Sequence, residues 1–206
     1  MIKRLTFAAR PTEASTAPDD ARPFRVAVAS VLPGVGGPSP VHDVVVSEWF
    51  ADAAHLDRFE AWSAVADIGA PRSGLGPVVV VEEHVRRGGD WLAARWRDGG
   101  TRYKHVALAA RAAGLSPAEL SERWLAHAGR SGGVVIPEEA RGRAYVQDHP
   151  VPRLEGEWAY DAVTEVWFDD EASLRTRIAW FAEHPPAPDD LFARSWFLAT
   201  TEEVVG

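Results

Sequence analysis

The residues best equipped for chemistry fall at alternate positions in short, β-patterned runs. In Arg143-Ala144-Tyr145-Val146-Gln147-Asp148-His149-Pro150, the residues Arg143, Tyr145, Gln147 and His149 sit two apart. An extended chain therefore puts all four on one face. An imidazole titrates near neutral pH and serves as general acid or base. A phenol and a guanidinium can hold an oxyanion or a planar carboxylate. His105, in Tyr103-Lys104-His105-Val106-Ala107-Leu108, is a second acid–base candidate. Small apolar Ala144 and Val146 suit a helix-covered face, which assigns Arg143, Tyr145, Gln147 and His149 to the interior face. The same alternation assigns His105 there, with Asp161, Glu165 and Trp167 from the run 160–168, and Arg4, Thr6, Asp43, Ser47 and Trp49 from the first half. The candidate catalytic residues are thus His149, His105 and Tyr145. The candidate substrate-binding residues are Arg143, Gln147, Asp161, Glu165, Trp49, Trp167 and Arg4. Each has a plainer alternative. Arg143 can form a buried ion pair with Asp161 or Glu165, His149-Pro150 can simply end a strand, and His105 can be a hydrogen-bonded core residue.

The elements that must position these residues come from an internal repeat. At an offset of 118, Asp43/Asp161, Val45/Val163, Trp49/Trp167, Phe50/Phe168 and Asp52/Asp170 are identical, continuing through Leu56/Leu174 and Trp62/Trp180. Each copy reads as an alternating strand, a turn and an amphipathic helix. The starts of the copies match at an offset of 101 (Lys3/Lys104, Ala8/Ala109), and Glu82-Glu83 matches Glu202-Glu203 at 120. The second copy therefore carries about 17 extra residues near its start. Leu115-Ser116-Pro117-Ala118-Glu119 accounts for them: Ser as N-cap, Pro at the first helical position and Glu three after the cap predict a helix running to about Ala128. The first copy has a loop-like Thr12–Asp20 instead. The expected organisation is α+β: two ferredoxin-like βαββαβ repeats packed sheet to sheet, a dimeric α/β-barrel-type fold within one chain. The first, 1–88, lacks its first helix; the second is 101–206; residues 89–100 form a linker with a short helix from Trp91 to Arg97.

Composition narrows the function classes. The 206 residues hold 22 basic and 30 acidic side chains, a net charge of −8, which disfavours nucleic-acid and anionic-membrane partners. The absence of cysteine removes disulfide, thiolate-metal and thiol chemistry and suits the cytoplasm. No apolar run is long enough to span a membrane. No two of the seven histidines stand at i, i+4, and Gly34-Val35-Gly36-Gly37-Pro38 lacks the Lys-Ser/Thr of a phosphate loop, so neither a metal nor a cofactor is called for. Nine tryptophans suit a pocket for a flat apolar ligand, or else a packed core.

The second half resembles the EthD family of the dimeric α/β-barrel superfamily. The resemblance rests on Tyr103–Leu108, Gly114–Leu120 with Trp124, Arg143–Pro150, and Tyr160–Val163 with Glu165, Trp167 and Phe168. It departs from the family at Asp148, where Asn is usual, and at His127, which follows Trp124 by three residues instead of four. The resemblance implies a cofactor-independent protein acting on hydrophobic, often aromatic or polyketide-type compounds, as a decarboxylase, cyclase or isomerase. A non-catalytic small-molecule-binding or accessory protein is the alternative. A third reading is a structural barrel whose interior is filled by Trp49 and Trp167. A homodimer is compatible with all three.

Overall fold

Valine- and alanine-rich runs with aromatic ends, such as Val44–Phe50, have the β-branched and aromatic content that favours strands. The computed structural model describes residues 1–8, 17–35, 41–66, 75–126, 130–131, 134–184 and 190–205. His127 lies outside them. The first half supplies β1 (Ile2–Ala8), β2 (Arg25–Val31), β3 (Val44–Phe50), α1 (Ala53–Ala66) and β4 (Leu75–Arg87). A helix α2 (Gly89–Asp98) follows, where a linker with a short helix is expected. The second half supplies β5 (Arg102–Arg111), α3 (Pro117–Leu125), the two-residue strands β6 (Arg130–Ser131) and β7 (Val134–Val135), and α4 (Glu138–Arg141). It continues with β8 (Ala144–Pro150), β9 (Ala162–Phe168), α5 (Glu171–Glu183) and β10 (Phe192–Val204).

The expectation of two ferredoxin-like repeats packed sheet to sheet is corrected by the sheet topology. Eight strands close into one antiparallel barrel in the order β1-β3-β2-β10-β5-β9-β8-β4, with few helices around it. It is neither a ferredoxin-like nor a dimeric α/β-barrel fold. Each half supplies four adjacent strands, but their edges pair with each other instead of stacking face on face. Strand β2 pairs with β10 from Ala27↔Val204 to Val31↔Thr200, and β4 pairs with β8 from Val81↔Pro150 onward. Closure satisfies the edge N–H and C=O groups that two separate sheets would leave unpaired.

The barrel interior is packed. Leu5, Phe7, Ala29, Val45, Val79, Val81, Val106, Leu108, Val163 and Leu198 form one buried cluster drawn from seven of the eight strands, which only inward side chains can do. Toward the other end the inward positions turn charged: Lys3, Lys104, Glu83, Asp148, Glu165 and Glu202, flanked by the fully buried Trp49 and Trp167. Helix α2 lies across that mouth. Its Leu92 packs on Ala144, Val146 and Trp167, and its Trp96 contacts both Trp49 and Trp167.

Candidate functional site

Four of the polar residues singled out above, His149, Gln147, Tyr145 and His105, lie outside the barrel, beneath the helices of the second half. Helix α3 starts where its sequence predicts: the Ser116 side chain accepts from Glu119 N and the Glu119 carboxylate accepts from Ser116 N, with Pro117 in the first turn. Its Leu120 and Trp124 pack on Ala109, Ala162 and Leu191. Helix α5, capped by Asp170, lays Leu174 and Ile178 on Val166 and Phe168. Between the two helices the sheet shows two cross-strand rows. One runs Gln147, Thr164, Ala107, Phe197; the next runs Tyr145, Val166, His105, Ala199. Thr164 and Ala107 lie mid-sheet yet remain partly accessible, so the helices leave a cleft above them.

At one end of this cleft stands Arg177 of α5. It is 6 % exposed, donates from Nη1 to the Ala140 carbonyl at 2.7 Å and from Nε to His105 Nδ1 at 3.3 Å, and lies over the Phe181 ring. Among the described residues it has no carboxylate partner. Burial lowers its pKa to about 10, with Tyr145 opposing the shift and Arg87 adding to it. Burial, and then the Arg177 charge, hold His105 well below the usual imidazole range, so His105 is neutral at pH 7. Because its Nδ1 accepts from Arg177, its Nε2 carries the proton and is a donor. Phe197 and Phe181 stack on the His105 ring. Burial raises the Tyr145 phenol pKa, against a smaller opposing hydrogen bond with Gln147.

At the other end is His149, four residues from Tyr145 along β8 and so about 13 Å away at the usual strand rise. Its Nδ1 is 2.7 Å from Ser121 Oγ, Trp124 stacks on its ring, and His84 meets it edge-on. Its Nε2 is buried with no partner. Burial, then His84 and Arg86, lower its pKa to about 4, leaving a neutral imidazole at pH 7. Gln147, between the two ends, donates to the Trp124 carbonyl at 3.0 Å.

The structure thus brings His149, His105, Tyr145 and Gln147 onto one face, but that face is the helix-covered one and not the interior. The alternation on β1, β5 and β8 is inverted: Lys3, Lys104 and Asp148 point inward, and Arg4 and Thr6 outward. On β3 and β9 the inward assignment of Ser47, Trp49, Glu165 and Trp167 holds. Trp49 Nε1 donates to Glu83 at 3.0 Å and Trp167 Nε1 to Glu202 at 2.8 Å. The equivalent acids of the two halves are therefore Glu83 and Glu202, an offset of 119 instead of 120. Arg143 is on the surface, paired with Asp169 at 2.6 Å, and makes no ion pair with Asp161 or Glu165. Asp161 is held by Arg111, whose backbone N donates to it at 2.9 Å. Arg4 pairs with Glu48 and lies over Phe59 in an open groove of about 1340 Å³ between the halves, lined also by Ile2 and Val80 of the first and Trp158 of the second.

Inside the barrel, Glu83, Asp148 and Glu165 bring carboxylate oxygens within 4.8 Å of one another, a spacing suited to a metal ion. The Lys3 ammonium already sits among them, 3.3 Å from Glu83, 2.7 Å from Asp148 and in contact with Glu165. That position belongs to an internal cation. No described helix is long and apolar enough to cross a membrane.

Arg177 escaped the sequence reading, although a signal for it exists. It lies three residues after Leu174 and one before Ile178, a charge within the apolar stripe of an amphipathic helix. At the repeat offset its counterpart is Phe59. Ser121 and His84 carry no comparable signal. Compared with known proteins, the chain matches no family model and no curated protein.

Proposed function

We propose that the cleft between α3, α5 and the outer face of β8, β9 and β5 binds a flat, largely apolar molecule bearing an acidic oxygen. It acts on that molecule by acid–base chemistry drawn from its own side chains. The observation that carries this reading is Arg177, a guanidinium buried without a carboxylate beside a neutral histidine and a phenol. A buried cation left unpaired is costly, and an anionic ligand offsets that cost. The Arg177 guanidinium and the Tyr145 hydroxyl hold a phenolate, enolate or carboxylate, and His105 donates from Nε2. Phe181, Phe197 and Trp124 line the apolar walls. His149, neutral and with a free Nε2, moves the proton at the far end. Decarboxylation, cyclisation or isomerisation of an aromatic or polyketide-type acid fits such groups, because each needs an oxyanion stabilised and a proton moved.

The test is a titration of intrinsic tryptophan fluorescence with a panel of aromatic acids, phenols and β-keto acids. Saturable quenching at micromolar ligand is expected. Arg177→Met weakens it by ~10- to 100-fold, the usual worth of a charge-assisted hydrogen bond. The protein stays folded, since the first-half helix carries Phe at the equivalent position. Quenching unchanged by Arg177→Met sinks the proposal. Binding that survives His149→Gln, with no turnover of any bound compound, identifies a carrier instead of an enzyme.

A further inference from the structure

A second set of guanidinium groups with incomplete hydrogen bonding lies on the inner side of the sheet, where α2 crosses the barrel mouth. Arg95 of α2 is 2 % exposed and donates from Nη2 to the Glu202 carbonyl at 3.2 Å, while its Nε and Nη1 are buried without partners. Arg102, cross-strand from Glu202, also has a buried Nε with no partner. Arg25 and Arg95 both lie against the Trp96 ring, at 4.6 and 5.4 Å. Arg95 thus shares the Trp96 ring with Arg25 and lies within reach of the Arg102 charge, in a chain whose net charge is −8. The nearby acids are already engaged. Glu202 gives Oε1 to Trp167 and Oε2 to Lys104, and Glu83 gives Oε1 to Trp49 and Lys3. The Arg95–Glu202 carboxylate distance, 3.8 Å, is too long for a hydrogen bond. Buried N–H groups of this kind are nearly always satisfied, by water or by an ion. Water would complete the hydrogen bonds but leave Arg25 and Arg102, which have no carboxylate within ion-pair distance among the described residues, without an anion beside them.

We infer that a small inorganic oxyanion of the phosphate type binds beneath α2, held by Arg95 and Arg102 and closed over by Arg25. It neutralises the mouth of the barrel and ties α2 to β5. This site is independent of the proposed cleft.

The experiment is a thermal-melt series on the full chain with inorganic phosphate, at ionic strength held constant with sodium HEPES, together with the phosphorus NMR linewidth of added phosphate. The expected result is a saturating rise in Tm of ~5 °C or more at a hundred times Kd, with a broadened phosphate resonance. Arg95→Met abolishes both effects, and Arg102→Gln weakens binding about 10-fold. An equal rise in wild type and Arg95→Met overturns the inference, as does no rise at all. If Arg95→Met does not fold, the wild-type linewidth decides: an unbroadened resonance means that water completes the Arg95 hydrogen bonds and no anion binds.

Discussion

His149 and His105 are buried against aromatic rings and neighbouring cations, so each must stay neutral for the cleft to hold its shape. The consequence for stability has a definite sign. The folded pKa of His149 is about 4, below the ordinary 6.5, so between these values the unfolded chain binds a proton that the native state does not. Stability is therefore complete above pH 6.5 and is lost as pH falls toward 4, with His105 acting in the same direction. Urea midpoints measured from pH 7.5 to 4 should fall through this window, and His149→Gln should flatten the slope. An unchanged slope would show that His149 protonates without cost. At this scale the sequence was half legible. Alternation correctly put Tyr145, Gln147 and His149 on one face, because a strand's period is two whatever surrounds it. It could not say which face was interior. Helices cover the outside and charges fill part of the inside, so a strand such as Val44–Phe50 is buried at every position and carries no polar edge to mark solvent. Apolar Ala144 and Val146 pointed into the barrel, against α2, and not toward the outer helices.

Helices α2 and α3 each set one end of a site, and each is fixed by few residues. Helix α3 carries Ser121 and Trp124 to His149, and its start depends on the reciprocal Ser116–Glu119 bonds. Ser116→Ala should cost about 1 kcal/mol, the usual worth of an N-cap, lowering Tm by a few degrees and loosening ligand binding at the His149 end. A Ser116→Asp variant, which still caps, should keep both. Helix α2 is launched by Gly88, whose φ of +76° favours glycine. A Cβ there would lie 2.2 Å from the Arg143 carbonyl oxygen and 2.7 Å from Ala144 Cα. Gly88→Ala should therefore displace α2 from the mouth, seen as faster hydrogen exchange across 89–98 and a changed emission from Trp96. Native-like exchange in that helix would refute the argument. The α3 cap was readable because it is local chemistry over four residues. That α2 plugs the barrel was not, since its partners Ala144, Trp167 and Glu202 are far away in sequence.

The whole molecule rests on a closed barrel whose interior is apolar toward one end and ionic toward the other. Burial raises Asp148 well above the usual carboxylate range, with Lys3 opposing the shift and Glu165 and Glu83 adding to it. Glu165 goes the other way: burial alone would raise it, but Lys104 and Lys3 bring it down to about 2. With Asp148 counted as neutral, the charges balance: Lys3, Lys104 and Arg95 against Glu165, Glu202 and the nearly buried Glu83. Lys3 and Lys104 occupy equivalent places in the two halves, as do Trp49 and Trp167, so the duplication legible in the sequence reappears as a paired Lys–Trp–Glu arrangement inside the barrel. The acids Asp148 and Glu165 break that symmetry. Their first-half counterparts at the repeat offsets are Ala29 and Ser47, which is why comparison of the copies did not reveal a network. Removing one member of a balanced buried set is far costlier than removing an opposite pair. Lys3→Met should destabilise by about 3–5 kcal/mol, because it leaves one buried negative charge in excess. Lys3→Met combined with Glu165→Gln restores the balance and should recover at least half of that loss in urea midpoint. If the double variant is no more stable than the single one, charge balance is not what holds the interior, and Lys3 contributes chiefly through packing against Trp49.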